Sequence, residues 1–361
     1  MLRLASEEKL LWVALACAIA AYALEAPLVH GGPVVAAAAT VALVAAIVCA
    51  SLRVSFHAER IAHRVGDPYG TMVLTLSAVL VEVVVLGIVM SSQDSPTLVR
   101  DTIYAAVMLD INGILGLAAL MGGLKHGEQS YNDDSGRTYG VMILTAMAIS
   151  MVVPEFIPRA AWHVYSGFTI VAMLTLYTVF LRMQTGPHSY FFSYSYPDKP
   201  RRPAAPQPGR MPVRASAAVL AAGVALIGAL SEVMAQTLDT ALEHLAAPPA
   251  LPAIVVAVIS ASPEILTALR AALANRMQSV VNIAMGASLA TVILTVPLME
   301  AIALYTGQPF QMAMTPVQTV MVLVTLLVSA INLNDGQTNA IEGMTHFVLF
   351  ATFLVLSMLG L

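Results

Sequence analysis

Residues 71–90, TMVLTLSAVLVEVVVLGIVM, form an apolar run of 20 residues that contains one charged side chain, Glu82. A helix of this length crosses the hydrocarbon core of a bilayer, which is roughly 30 Å thick. Similar runs recur along the 361-residue chain, in which 58% of residues are hydrophobic and 11% are charged. An ordinary soluble domain carries roughly 25% charged residues. With a mean hydropathy of +0.81, the chain is predicted to be an all-α membrane protein with many spans.

This composition excludes a secreted disulfide scaffold, a nucleic-acid binder and a cytosolic enzyme. Both cysteines, Cys17 and Cys49, fall within apolar runs, so they predict neither a disulfide nor a zinc site. We expect no cofactor, and we expect lipid as the surrounding medium. Acidic Glu7 and Glu8 precede the first apolar run and no small-residue cleavage site closes it, so it is not expected to be a cleavable signal peptide.

The apolar runs predict about eleven spans. Their predicted limits are Leu10–Val29, Pro33–Leu52, Thr71–Met90, Asp101–Gly122, Tyr139–Pro154, His163–Leu181, Ala215–Leu238, Pro252–Leu273, Val280–Tyr305, Pro316–Asn332 and Thr345–Leu361. They divide the chain into a leading helix (1–32), five helices (33–181), a linker rich in proline and basic residues (182–214) and five further helices (215–361). Because five is odd, two similar groups of five would be inserted upside down relative to each other, as in many secondary transporters.

The basic residues predict the orientation of these spans. With the N-terminus inside, 15 of the 17 lysines and arginines fall on one side, and only Arg100 and Arg159 fall on the other. Basic residues collect on the cytoplasmic side of membrane proteins. We therefore expect a multi-pass protein of a bacterial-type inner membrane, with its N-terminus and its linker in the cytoplasm.

Two carboxylates lie near the middle of predicted spans. Glu82 ends the run LSAVLVE (76–82), and Glu264 ends the run ISASPE (259–264). Each occupies the second span of its group of five. A carboxylate in hydrocarbon costs several kcal/mol, so both are functional candidates. Ser77 and Ser260 lie one to one-and-a-half turns earlier and add hydroxyl oxygens, and Pro263 is expected to free carbonyl groups close to Glu264.

The span that follows each of these acids is rich in small and polar residues. The first carries Asp110 and Asn112, and the second carries Ser288 and Thr291. Side chains of this kind supply oxygen ligands and allow helices to approach closely. Two carboxylates with hydroxyl, amide and carbonyl oxygens form a site of hard oxygen ligands, which suits Ca²⁺, Mg²⁺ or Na⁺ better than zinc or copper.

Other acidic residues are weaker candidates. Glu232 also lies inside a span, whereas Glu155, Glu300 and Asp335 lie near span ends and are expected to be solvated. Glu342 and His346 are four residues apart, so they predict a local pair near a helix start or, as the alternative, a proton-handling group.

Several stretches of the chain resemble bacterial calcium/proton exchangers of the cation/calcium antiporter superfamily. In the first half these are GDPYGT (66–71), VEV (81–83), RDT (100–102), VM (107–108) and NG (112–113). In the second half they are PE (263–264), LRAA (269–272), NRMQS (275–279), NIAMGASLA (282–290), LTVP (294–297), QTN (337–339), EG (342–343) and HFVLF (346–350).

The resemblance implies a leading helix followed by two inverted five-helix repeats, with Glu82 and Glu264 as the key acids. It also implies Asn112, Ser288 and Thr291 as their neighbours.

Two carboxylates that repel each other in a low dielectric take up protons, so cation and proton compete for one site. We therefore expect export of Ca²⁺ in exchange for H⁺ and no enzymatic activity. A Na⁺ or K⁺/proton antiporter, a membrane enzyme with an acid pair and a passive channel are the alternatives.

Overall fold

The computed structural model describes residues 8–66, 69–92, 95–186, 188–192, 212–245, 248, 250–308 and 310–361. Its α-helices are α1 Lys9–Ala23, α2 Glu25–His30, α3 Pro33–Val65, α4 Tyr69–Ser92, α5 Leu98–His126, α6 Asp133–Phe156, α7 Trp162–Thr185, α8 Val213–Leu245, α9 Leu251–Leu273, α10 Met277–Thr306, α11 Pro316–Asn332 and α12 Ala340–Met358. Most of the predicted linker, residues 193–211, lies outside the described residues.

Nine helices of the described residues are long and apolar enough to cross a membrane, and α1 and α11 are shorter apolar helices. The predicted class, an all-α membrane protein with many spans, is confirmed. The count of eleven spans stays a prediction.

Several helices extend beyond the apolar runs that predicted them. The helix α3 continues to Val65, 13 residues past the predicted end at Leu52, and α8 continues to Leu245 rather than Leu238. Hydrophobicity marks only the part of a helix that lies in lipid, whereas the hydrogen bonds of the backbone continue into polar sequence. The two long helices pack against each other, with the hydroxyls of Thr40 and Thr237 3.0 Å apart.

The predicted leading span is divided into α1 and α2. The division falls at Leu24, three residues before Pro27. Pro27 has no N–H to donate to the carbonyl of Ala23, so the first helix ends at Ala23.

Three helices contain a wider π-helical segment. These segments are Met108–Leu115 in α5, Ala148–Val152 in α6 and Thr291–Thr295 in α10. In α6 and α10 a proline, Pro154 or Pro297, lies two residues after the segment ends. A proline cannot donate to the carbonyl four residues earlier, which disturbs the α-helical hydrogen bonds in this turn. Such segments are frequent at functional sites, and the two in α5 and α10 carry the candidate residues.

Besides the packing of α3 against α8, the two halves of the chain contact each other in two more places. The short strands β1 Gln129–Ser130 and β2 Gln337–Thr338 pair antiparallel. The helices α5 and α12 cross so closely that a Cβ atom at Gly343 would overlap the backbone of Ala119 and Leu120. Glycine allows helix backbones to approach in this way, so this crossing fixes α12 against the π segment of α5.

Candidate cation-binding site

Glu82 lies in the middle of α4 and contacts the π segment of α10. Its Oε2 accepts a hydrogen bond of 2.8 Å from the Thr295 hydroxyl, and the Thr291 hydroxyl lies 3.1 and 3.2 Å from its two oxygens. Glu82 is 4% exposed, and Thr295 is fully buried. An acid of the first half is therefore held by two hydroxyls of the second half.

Asp110 lies in the π segment of α5 and is 2% exposed. Its Oδ2 accepts a hydrogen bond of 3.2 Å from the hydroxyl of Ser288 on α10. The carboxylates of Glu264 and Glu82 both lie within electrostatic range of Asp110. The structure thus brings three of the predicted acidic side chains into one region, in which Glu82 and Asp110 are buried and Glu264 is partly buried.

Glu264 lies on α9, which packs against the π segment of α5. Its Oε2 is buried and has no hydrogen-bond partner among the described residues. The arrangement is crossed: the acid on α4 lies against the π segment of α10, and the helix that carries Glu264, α9, packs against the π segment of α5.

No basic side chain pairs with these three carboxylates within the described residues. Buried carboxylates need a proton, a cation or hydrogen bonds to offset the loss of water. The described residues contain no group of three His, Cys, Asp or Glu side chains close enough to hold one metal ion. A bound cation would therefore be held by one or two carboxylates, with hydroxyl oxygens and water completing its ligands.

The two predicted serines do not hydrogen bond to the acids. Ser77 donates to the carbonyl of Val73 at 2.7 Å, and Ser260 lies 3.1 Å from the carbonyls of Val256 and Ala257. Each hydroxyl oxygen keeps lone pairs, so both serines stay predicted ligands.

Pro263 was expected to free carbonyl groups close to Glu264, and this stays a prediction. The helix α9 is continuous through Pro263. The carbonyl of Ile259, which a residue with an N–H at position 263 would bind, accepts a hydrogen bond of 2.8 Å from the Ser262 hydroxyl. A neighbouring side chain therefore replaces the missing backbone donor.

Asn112 is fully buried and contacts α11 and α12 rather than the acids. Its amide donates to the Thr325 hydroxyl at 2.8 Å, and its Oδ1 lies 2.9 Å from Nδ1 of His346. With the amide in this orientation, its oxygen can accept a hydrogen bond from Nδ1–H of His346. Asn112 thus links the π segment of α5 to two further helices.

Structure corrects two of the weaker sequence interpretations. Glu300 is 3% exposed, not solvated, because the part of α10 that carries it packs against α7. Glu342 and His346 do not pair: Glu342 accepts from the Asn339 amide at 2.9 Å, and His346 binds Asn112. Glu155 and Asp335 are exposed, and Glu232 is exposed but accepts a hydrogen bond of 2.8 Å from Tyr22.

Thr295 was missed by the sequence analysis, because a threonine in an apolar run is common. Two signals were available: Thr295 lies four residues after the predicted Thr291 and so on the same helix face, and the proline two residues later accompanies the π turn that contains both threonines.

Comparison with known proteins identifies the family. The family model for sodium/calcium exchanger proteins matches residues 35–186 and 215–359, which include every residue of the candidate site. The chain belongs to this family.

Two relatives and one solved structure show how far the similarity extends. The chain is 34% identical to the sodium-potassium/proton antiporter ChaA of Escherichia coli over 329 residues, which are 90% of the chain and 89% of the relative. It is 33% identical to a putative ionic transporter, y4hA, of Sinorhizobium fredii over 307 residues, 83% of each chain. A crystal structure of the Ca²⁺/H⁺ antiporter protein YfkE matches with a TM-score of 0.75 at 16% identity, covering 97% of the chain and 98% of YfkE.

These findings confirm the resemblance to cation/calcium antiporters. Members of the family are secondary transporters, so this protein is an antiporter and not an enzyme, and its transported ions are substrates rather than cofactors.

Proposed function

We propose that this protein exchanges Ca²⁺ for H⁺ and that both ions bind in turn among Glu82, Glu264 and Asp110, with one or two of these carboxylates holding the cation. The observation that carries the proposal is a group of three carboxylates, two of them buried and the third partly buried, that have no basic partner among the described residues. Ser288, Thr291 and Thr295 supply neutral oxygens beside two of them.

The charge of the site supports a divalent substrate. Two ionised carboxylates balance one Ca²⁺, and the third is free to hold a proton. Ca²⁺ accepts six to eight oxygens in flexible geometry, which suits ligands drawn from the four helices α4, α5, α9 and α10.

A monovalent cation is the second candidate. It is favoured by the 34% identity to a relative named as a sodium-potassium/proton antiporter. The Ca²⁺/H⁺ antiporter YfkE is less similar in sequence, at 16% identity.

The test uses purified protein in sealed vesicles that contain a pH-sensitive dye. We expect external Ca²⁺ to drive proton movement in the opposite direction, and we expect Glu82→Gln and Glu264→Gln to abolish it. Glu155→Gln, which changes an exposed carboxylate, is the matched control. Proton movement driven by Na⁺ or K⁺ but not by Ca²⁺ would favour the second candidate. Cation flux without proton movement would indicate a channel.

The number of displaced protons distinguishes the candidates further. At pH values well below the apparent pKa of the site, affinity should fall about tenfold per pH unit for each proton that the cation displaces. A slope near two supports a divalent ion, and a slope near one supports a monovalent ion. An affinity that does not change between about pH 5 and 9 would contradict a shared site.

We also propose that α3–α7 and α8–α12 are inverted repeats after a leading helix (1–32). The crossed arrangement of the two acids and two π segments supports this division, which follows the predicted segments 33–181 and 215–361. The distribution of basic residues supports a cytoplasmic N-terminus and linker in a bacterial-type inner membrane.

A further inference from the structure

A further buried carboxylate lies outside the proposed cation site. Glu300 is on α10, six residues before the end of this helix at Thr306. Its Oε2 lies 2.6 Å from the hydroxyl oxygen of Thr169 on α7. Thr169 is fully buried, and Glu300 is 3% exposed.

The hydroxyl of Thr169 has two oxygens within reach but only one proton. It lies 2.9 Å from the carbonyl of Ser166 and 2.6 Å from Glu300. When Glu300 is ionised, Thr169 donates to it. When Thr169 donates to Ser166 instead, the short contact requires a proton on Glu300, which then donates to Thr169. Rotation of one hydroxyl therefore satisfies both protonation states, with no movement of the carboxyl.

Within the part of the chain that the structure describes, Glu300 has no basic partner. No lysine, arginine or histidine of the described residues forms an ion pair with it. On α7 the titratable group that senses its charge is Tyr165, whose hydroxyl donates to the carbonyl of Ile149 at 2.7 Å. On α4, the other helix that packs against this part of α10, the titratable group is Glu82, which is bound by Thr291 and Thr295.

Glu300 lies on the same helix, α10, as two hydroxyls of the cation site. Thr295 lies five residues earlier on the same helix, which corresponds to about 7.5 Å of helix rise. Arg276 precedes the start of α10, so Glu300 lies towards the opposite face of the membrane, between the cation site and that face.

We propose that Glu300 is a proton-binding residue separate from the cation site, through which protons enter from the face opposite the basic loops. The inference rests on the proposed proton-coupled exchange. In this step a hydronium ion at that face gives its proton to Oε2 of Glu300 and leaves as water. The same proton then passes to a carboxylate of the cation site, and Glu300 is ionised again.

The test compares two rates in the same vesicles. Ca²⁺-driven proton movement requires proton entry, whereas exchange of radioactive for unlabelled Ca²⁺ without a pH gradient requires only the cation site. We expect Glu300→Gln to slow proton movement about tenfold or more and to leave isotope exchange unchanged. Thr169→Val should act in the same direction, Thr169→Ser should behave as wild type, and Glu155→Gln is the control.

The other outcomes of this comparison would contradict either the role of Glu300 or the proposed function. Equal loss of both rates in Glu300→Gln, or no change in either, would overturn the role of Glu300. Isotope exchange in wild type without any proton movement would instead overturn the proposed function, whatever the variants do.

Discussion

Thr295 donates a hydrogen bond of 2.8 Å to Oε2 of Glu82, although the two residues are 213 positions apart in the chain. The bond joins the middle of α4 to the π segment of α10, so it connects the two halves at the proposed cation site. A hydroxyl that donates to a carboxylate stabilises its ionised form. This is the form that binds a cation.

The first prediction follows from this bond. Thr295→Val keeps the shape of the side chain and removes the donor, so a proton should compete better with the cation at Glu82. A hydrogen bond to a charged group contributes roughly 1.5–3 kcal/mol, so apparent cation affinity at neutral pH should fall about 10- to 100-fold. Affinity is measured from cation-driven proton movement in vesicles.

Thr295→Ser is the control and should bind the cation as wild type does. Equal affinities in the valine and serine variants would contradict the role of the hydroxyl.

The acids of the site could be predicted from sequence, and their hydroxyl partners only in part. Glu82 and Glu264 interrupt long apolar runs, and a charge in that position has few structural explanations. Thr295 has no such contrast with its neighbours, although it lies four residues after Thr291 and so on the same helix face. Glu300 was misplaced because distance from a span end does not reveal that α7 covers it.

The bundle of apolar helices could be predicted because hydrophobic length determines a span. The helix ends could not, since α3 and α8 continue into polar sequence. The close crossing of α5 and α12 depends on contacts between distant segments, which a run of hydrophobic residues does not encode.

This crossing gives the second prediction. In Gly343→Ala the new methyl group overlaps the backbone of α5, and backbone cannot move aside as a flexible side chain can. Overpacking of this kind costs typically about 1–3 kcal/mol. The thermal unfolding midpoint in detergent should fall.

The control for this variant is Gly87→Ala on α4, where a Cβ atom meets no heavy atom of the described residues within 4 Å. Alanine is favoured over glycine inside a helix by roughly 0.5–1 kcal/mol, so this variant should be at least as stable as wild type. A Gly343→Ala protein as stable as the control would contradict the close crossing.

The third prediction concerns Glu8, which precedes α1 and lies against α3. Burial would raise the pKa of Glu8, but hydrogen bonds and charge interactions with Arg53 and His57 outweigh it and hold the pKa below its ordinary value of 4.5. Arg53 binds both carboxylate oxygens, at 2.6 and 2.8 Å. Because the pKa is lower in the folded state, this contribution to stability is complete above the ordinary value and is lost as pH falls through the folded value.

Glu8→Gln should therefore unfold at a lower temperature than wild type near neutral pH, and the difference should shrink below about pH 4.5. Glu59→Gln is the control, because Glu59 and His63 are exposed and 3.8 Å apart, and such pairs contribute little. A difference between wild type and Glu8→Gln that is the same at all pH values would exclude the charge of Glu8 as its cause.

The last prediction tests how α9 remains a continuous helix beside Glu264. Pro263 cannot donate to the carbonyl of Ile259, and the Ser262 hydroxyl does so at 2.8 Å. Ser262→Ala should leave that carbonyl unpaired at a cost of about 1–3 kcal/mol. In a Pro263→Ala background the backbone N–H at position 263 takes over this bond, so the same serine substitution should cost less there. The free energy of unfolding, measured by denaturant titration in detergent for the four proteins, gives the coupling between the two positions.

Ser260→Ala is the control and should cost the same in both backgrounds, because the carbonyls it contacts have backbone donors of their own. If the cost of Ser262→Ala does not depend on Pro263, the serine does not replace the missing donor, and another feature keeps the helix intact at the acid.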